Sequence, residues 1–471
     1  MTKEELALLM CKQNASIIAP AGHGKTEMIT DIVIASKGKQ LLLTHTNAGV
    51  DALKKRLRRK KVTSSKYNIL TIAAFCMRWC MAYKQTAGLP DFNGFNNVDY
   101  DKLYDATKII FENRWAGDII KRTYTSIIVD EYQDCSLDQH AVVVALNAFL
   151  PVYVLGDPLQ GIFDWKKKGN QQLEIVDWEN IEFEKFEVHT EPWRWNNSNP
   201  ELGKYLNRMR NQLLPTLHKE NVQVHIAPEG NYLRVITPEQ FDNNQYQLNK
   251  AYKSILYLTK LQHKQLSVCQ RQAWRFQYDE TQELTELFEF AKRFEDDIGY
   301  NRAIAVLEFV YACSTKVSSE LKSYYDNLKK EKNSFDKIKK HRELVEPLQS
   351  ICSFVDYEAI LFVLRWIRKC PDSKIYRKEL HNEMIRSVLF AIDHKCSLDN
   401  AAKQIRLNLR KEYSDFKCLS SRTLLSKGLE FDCVLVDMTD PLRAKDYYVA
   451  LTRARYEVIL ISDKDRIVLD C

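Results

Sequence analysis

Apolar residues in this chain come first in short runs and later in long periodic stretches. Ser16-Ile17-Ile18-Ala19, Gln40-Leu41-Leu42-Leu43-Thr44, Ser126-Ile127-Ile128-Val129-Asp130 and Val152-Tyr153-Val154-Leu155-Gly156 are four- or five-residue runs. Runs this short and without alternation predict strands buried on both faces. Between them, Thr26 to Ala35 and Ala48 to Lys61 carry apolar residues at helical spacing. Strand, loop and helix in repetition predict a parallel α/β sheet with its binding site beyond the carboxyl ends of the strands. From about Leu261 to Arg410 the pattern turns helical and charged. Thr281 to Tyr311, Leu321 to Val345 (stopped by Pro347) and the amphipathic Ser353 to Lys369 are the predicted helical stretches. Strands return at Asp432 to Asp437 and Val458 to Ser462. The pattern predicts one α/β domain, then a second one interrupted by a helical insertion, with no internal repeat.

Composition narrows the class more than the function. A chain of 471 residues holds about three domains at roughly 150 residues each. It has only 14 Gly and 12 Pro, which excludes collagen-like or low-complexity chains. No 18-residue apolar run exists; Ala141 to Gly156 is broken by Asn147 and Pro151, so no membrane partner is expected. The polar start, Met1 to Glu5, lacks a signal-peptide layout, and the 12 cysteines form no C-x-x-C pair. Reduced thiols and a cytoplasmic location are the expectation. The net charge of +7 is too small to argue for nucleic acid by itself.

Two segments carry recognisable chemistry. Ala19-Pro20-Ala21-Gly22-His23-Gly24-Lys25-Thr26 follows the first strand and opens a helix. Backbone N–H groups of such a glycine-rich loop, here Ala21 to Thr26, wrap phosphates. Lys25 reaches the β and γ phosphates, and Thr26 offers a hydroxyl to Mg²⁺. The strict P-loop pattern has Gly where Ala19 stands; a plain glycine turn with a surface lysine is the bland alternative. Asp130-Glu131-Tyr132-Gln133-Asp134 ends the third apolar run, as a Walker-B acid does, with Asp130 for Mg²⁺ and Glu131 for the attacking water. The competing reading is an acidic cap for the helix that starts near Leu137. The two motifs together are the independent halves of an ATP–Mg²⁺ site.

In this order the motifs resemble those of superfamily 1 helicases of the UvrD/Rep/PcrA type. Five further segments follow that family's order. Leu43 to Ala48 is similar to motif Ia, Gly156-Asp157-Pro158-Leu159-Gln160 to motif III and Trp193-Arg194 to motif IV. Lys427 to Phe431 is similar to motif V and Val449 to Ala454 to motif VI. The resemblance implies two RecA-like P-loop NTPase motor domains with parallel sheets. Residues 1–190 would form domain 1A with a reduced helical 1B element at about 77–122. Residues 191–471 would form domain 2A with a helical 2B-like insertion at about 262–410. It also implies that Gln160 senses the γ-phosphate, that Arg194 and Arg453 stabilise transition-state charge, that Trp193 stacks on adenine and that Glu430 contacts ribose. Standing alone, Arg194 or Glu430 would read as half of a surface ion pair.

The implied nucleic-acid track begins at Thr46, Asn47 and Thr71, small polar residues suited to phosphates. Phe163 and Trp165 stand where the family stacks bases; two core rings are the alternative. Seven of the eight residues from Lys54 to Lys61 are basic, either a solvated helix face or a phosphate contact. Departures from the family fall on the DNA side: Ile72 and Ala73 follow Thr71 where an aromatic and a histidine are usual. Arg422 and Leu424 replace Thr and His before Lys427. Gln13 stands closer to Lys25 than the family's adenine-reading glutamine normally does, and no residue is assigned to that role.

The resemblance implies an ATP-dependent DNA helicase or translocase moving 3′ to 5′ on single-stranded or partially duplex DNA. The trimmed length is also similar to the helicase-like subunit of the Gabija anti-phage defence system. That subunit pairs with an OLD-type nuclease, so the alternative is a DNA-sensing ATPase subunit that activates a partner nuclease with little processive unwinding.

Overall fold

The computed structural model describes residues 1–91, 99–162, 174–217, 219, 221–280, 284–332, 335, 337–370, 372–408 and 417–470. They form two compact units, one of residues 1–235, 441–458 and 464–471, the other of residues 236–440 and 459–463.

The first unit is built on a five-stranded parallel sheet. Its strands are β1 (Asn14–Ile18), β2 (Gln40–Thr44), β3 (Tyr67–Thr71), β4 (Ser126–Val129) and β5 (Val152–Gly156), in the spatial order β1-β5-β4-β2-β3. All five are in parallel register, so their carboxyl ends lie along one edge. The order puts β5 between β1 and β4, so the segments leaving these three strands converge at neighbouring positions on that edge, about 4.8 Å apart per strand.

Helices α1 (Lys3–Met10), α2 (Lys25–Ala35) and α3 (Asn47–Arg59) accompany β1 and β2. Helices α4 (Ile72–Ala82), α5 (Tyr100–Phe111) and α6 (Arg114–Thr123) fill the interval between β3 and β4, and α7 (Leu137–Asn147) leads to β5. Separate apolar clusters cover the two faces of the sheet. One joins Ile17, Leu42, Ile128 and Leu155 to Ile29, Val33 and Leu53 of α2 and α3. The other joins Leu41, Leu43, Ile127 and Val154 to α4, α5 and α7. Burial on both faces explains why these strands are apolar runs without alternation.

A four-residue turn, α8 (Trp193–Asn196), and α9 (Pro200–Leu213) complete the unit with β6 (Asn221–His225), which pairs antiparallel with the strand Arg466–Asp470. Residues 191–235 and 441–458, which the motif pattern assigns to a second lobe, pack here. The cause is local: Trp195 is buried against Gly22 and Gly203, and its indole donates to Ala454 O at 2.8 Å.

Strand β7 (Leu233–Ile236) leads into the second unit, whose sheet is formed by β8 (Ile255–Thr259), β9 (Gln277–Tyr278), β10 (Cys418–Arg422) and β11 (Phe431–Asp437). Its order is β9-β10-β8-β11, again parallel, and the end of β12 (Ala454–Ile461) lies beyond β11. The sheet therefore belongs to the same α/β class as the first, in keeping with two RecA-like domains. The helical insertion has its own core, built from Leu287, Phe294, Phe309, Leu348, Leu364 and Met384 among others.

Two predicted stretches are interrupted. The helix expected through Thr281 to Tyr311 is divided into Thr285–Asp296 and Tyr300–Cys313, because Gly299 adopts φ +59°. Pro347 does not stop a helix running from Leu321. That helix ends at Lys329, and Pro347 sits in the first turn of Val345–Ser353. A first-turn N–H has no intrahelical acceptor, so a proline there loses nothing. Among the described residues, no helix is long and apolar enough to cross a membrane.

Where the insertion leaves the sheet, Arg377 grips Glu280 through two hydrogen bonds of 2.7 Å, and both side chains are buried. Removing Arg377 strands the Glu280 charge away from water, whereas Arg377 also pairs with Glu286. Arg377→Met is expected to cost about 3–5 kcal/mol in guanidinium unfolding, and Arg377→Met with Glu280→Gln much less.

Candidate phosphate-binding site

The loop after β1 is shaped by two glycines. Gly22 and Gly24 hold φ +71° and +86°, a region closed to most side chains. A Cβ on Gly22 would stand 2.5 Å from the Trp195 ring, and one on Gly24 would stand 3.3 Å from Trp193 Cδ1. Gly24 is the N-cap of α2 and offers no side-chain acceptor. The first N–H groups of α2 are left to a ligand, and the helix dipole favours an anion there.

Lys25 opens α2 beneath this loop. Its Nζ lies 2.7 Å from Glu131 Oε2 and 3.6 Å from Asp130 Oδ1, with about a tenth of the side chain exposed. Burial works against the ammonium, but the two carboxylates outweigh it and push Lys25 up to about 12. Burial raises Asp130 to about 6; the Lys25 charge opposes this and the Glu131 charge adds to it. Glu131 adopts φ +56°, a conformation costing of order 1–3 kcal/mol in a non-glycine residue. Its N–H donates to Asp130 Oδ1 at 2.9 Å.

Behind these groups lies Asp157, completely buried. Its Oδ2 accepts from Ala21 N at 3.2 Å and from Gln160 Nε2 at 3.1 Å. Its own N–H donates to Gln133 Oε1 at 3.0 Å, and Gln133 Nε2 donates to Glu131 Oε2 at 2.5 Å. Gly156 is required here because a Cβ would collide with Gln133 Oε1.

The cationic side of the site comes from distant segments of the same unit. Arg194 N donates to Gly22 O at 3.1 Å, and its Nη1 donates to Thr452 O at 2.6 Å. Arg453 is buried, with Nη2 3.1 Å from Thr452 Oγ1 and a long 3.5 Å from Gln160 Oε1. His23 is buried between Thr190 Oγ1 and Asn207 Oδ1, at 3.1 and 3.2 Å. Burial holds its imidazole below the ordinary histidine value; the Asn207 hydrogen bond opposes this and the Arg210 and Arg194 charges reinforce it.

Thus Ala21, Gly22, His23, Gly24, Lys25, Asp130, Glu131, Gln160, Arg194 and Arg453 share one neighbourhood of the first unit, with Thr26 beside Lys25 and the exposed Trp193 against Gly24. Glu430 is exposed and belongs to the second unit. Thr46 and Thr71 are N-caps of α3 and α4, accepting from Gly49 N and Ala74 N at 3.0 Å each, while Asn47 is exposed at the start of α3. In the basic helix, Arg56 and Lys60 pair with Glu27, whereas Lys55, Arg58 and Arg59 are exposed. Phe163 and Trp165 lie outside the described residues. Sequence reasoning missed Trp195, Asn207 and Arg210 as members of this neighbourhood, and gave no role to Gln133 and Asp157, which stand within the two quoted segments. The readable signals were the Trp193-Arg194-Trp195 triplet and the acid after the strand-ending Gly156.

Residues 1–95 and 90–177 match the UvrD/REP helicase N-terminal domain. Among curated proteins none matches the chain. Among solved structures, the complex of Arterivirus nonstructural protein 10 (helicase) with DNA overlaps at 10% identity and a TM-score of 0.34, covering 98% of this chain and 63% of that one. The PRRSV helicase overlaps at 9% identity and 0.32, covering 98% and 54%. The chain thus spans 54–63% of the length of these two structures.

Gly22→Ala is expected to destabilise the protein by roughly 2–4 kcal/mol in chemical denaturation, from the left-handed backbone and the overlap with Trp195. Measured in a Trp195→Leu background, the cost of Gly22→Ala should shrink by the overlap alone. His23 gives a pH signature. Its pKa is lowered in the folded state, so the unfolded chain takes the proton first as pH falls through about 6.5, and stability is lost below that pH. Asp130 acts in the opposite sense, since its raised pKa makes the folded state bind the proton first. Comparing wild type with His23→Gln in denaturation at pH 5 to 7 isolates the His23 effect: the variant should lose less stability on acidification.

Proposed function

We propose, from the match of residues 1–177 to the UvrD/REP helicase N-terminal domain, that the chain is a helicase of the superfamily 1 kind, an ATP-driven translocase moving 3′ to 5′ on single-stranded DNA. The observation that carries the reading is the ion-paired trio of Lys25, Asp130 and Glu131 under a loop with two left-handed glycines.

Loop N–H groups and Lys25 bind the β and γ phosphates. A phosphate that reaches Lys25 competes with Glu131 for the same ammonium. Binding therefore frees the Glu131 carboxylate to take a proton from the attacking water. Thr26 and Asp130 supply a hydroxyl and a carboxylate, the hard oxygen donors that suit Mg²⁺, so the residues present fit that ion. When bound, Mg²⁺ neutralises charge on the phosphate oxygens. Gln160 reads the γ-phosphate, and Arg194 and Arg453 stabilise the charge that develops on it. Trp193 stacks on adenine and Glu430 holds the ribose. The motor lobes of this reading are residues 1–190 and 191–471, and Arg194 and Arg453 lie in the same compact unit as Lys25. Thr46, Asn47, Thr71 and the exposed face of α3 track DNA phosphates, and Phe163 and Trp165 stack bases.

A second reading is favoured by the small element between β3 and β4, where three helices are described over 72–123. In it the chain is a DNA-sensing ATPase subunit that activates a partner nuclease, of the OLD type, in anti-phage defence.

One assay set separates these readings. The full chain should hydrolyse ATP faster with single-stranded DNA, and Lys25→Ala should lower the rate roughly 10²–10³-fold. Displacement of a strand from 3′-tailed but not 5′-tailed duplexes supports the translocase, and hydrolysis without displacement supports the sensing subunit. No hydrolysis by the wild type with DNA present overturns both.

A further inference from the structure

Helix α9 presents two polar side chains to the phosphate loop, three residues apart and so on one face. Asn207 Oδ1 lies 3.2 Å from His23 Nε2, and Arg210 Nη2 lies 3.0 Å from Asp157 Oδ1. Arg210 is 7% exposed and Asp157 0%. No motif brought α9 to the site.

The pair matters because of what Asp157 holds. Through its other oxygen it fixes the Ala21 N–H and the Gln160 carboxamide, and through its backbone it reaches Gln133 and then Glu131. Oδ1 takes the Leu159 N–H at 3.3 Å besides Arg210. Among the described hydrogen bonds to this buried carboxylate, Arg210 is the charged donor; Ala21, Leu159 and Gln160 are neutral. Arg210 Nε is buried and has no hydrogen-bond partner among the described residues. A side chain kept there at the cost of an unsatisfied donor is held by its charge rather than by full hydrogen bonding.

We infer that Arg210 is a positioning residue of the phosphate site, acting through Asp157 to hold the Ala21 N–H and the Gln160 carboxamide in direction. Without the guanidinium, Asp157 is a buried charge with neutral donors alone, and it turns toward any other cation or water within reach. Ala21 and Gln160 then lose a fixed acceptor. The catalytic part of this inference rests on the ATPase reading above; the positioning part does not.

The test uses the full chain with Arg210→Met and Arg210→Lys. Hydrogen exchange of amides 19–26 reads the positioning directly, and steady-state ATP hydrolysis with single-stranded DNA reads its consequence. Arg210→Met should lose protection at Ala21 while the β2 and β4 amides keep theirs. Its kcat should fall on the order of 10- to 100-fold, with a smaller change in KM for ATP. Arg210→Lys keeps the charge and should recover part of both. Lower stability with wild-type exchange at 19–26 and wild-type kcat overturns the inference. Should Arg210→Met fail to fold, Arg210→Lys carries the comparison, since an ammonium lacks the planar fork and should show smaller losses in both readouts. A wild type without ATPase activity would sink the ATPase reading alone, and the exchange data would still decide the role of Arg210.

Discussion

A carboxylate cut off from water must have its lone pairs filled and its charge balanced, and at Asp157 this requirement organises the whole site. Its oxygens bind the loop after β1, the turn after β5 and helix α9 at once. These pieces come from positions 21, 159–160 and 210, so the bond set closes only when the sheet has been assembled in the order β1-β5-β4. Leaving such a charge unpaired costs several kcal/mol, which makes the arrangement close to all-or-none. The same logic governs Lys25, whose buried ammonium needs Glu131 and Asp130, and which restrains them in turn.

Strain and close packing sit at the same place. Gly22 and Gly24 turn the loop through left-handed conformations, Glu131 does so without the benefit of being glycine, and the Trp195 ring fills the space that a Cβ at Gly22 would need. Such conformations persist only where the surroundings over-determine them. Here the surroundings are the Asp157 bonds on one side and the α8 turn, pinned through Arg194 N to Gly22 O, on the other. A loop held in this way keeps its N–H groups aimed before any phosphate arrives, which lowers the reorganisation needed on binding.

Much of this was legible in the sequence, for a physical reason. Strands buried on both faces must be apolar throughout, so Gln40 to Thr44 and Val152 to Gly156 are found with the ends the pattern predicts. Phosphate and metal chemistry demands fixed residue types next to those strand ends, so Lys25, Asp130 and Glu131 stood out. Arg210 did not. It is one charged residue on a helix that is otherwise an ordinary amphipathic segment, 53 positions from its partner Asp157. Its burial is decided by tertiary packing, and no local spacing encodes it. Trp195 was hidden by its neighbour: of two tryptophans two apart, Trp193 is exposed and Trp195 is in the core, and only the contact with Gly22 tells them apart. Thr46 and Thr71 carry a second job that short polar residues before apolar helices often have, as caps.

The central claim is that Lys25 holds Glu131 until phosphate takes its place, and that Glu131 then draws the proton from water. Glu131→Gln tests it most directly, by measuring ATP affinity and DNA-stimulated hydrolysis on the same preparation. The account predicts that ATP binds at least as tightly as to the wild type, because the ammonium is released from its carboxylate partner, while hydrolysis falls by roughly 10² or more. Hydrolysis within about twofold of the wild type would contradict it, as would a loss of ATP binding in a variant that remains folded.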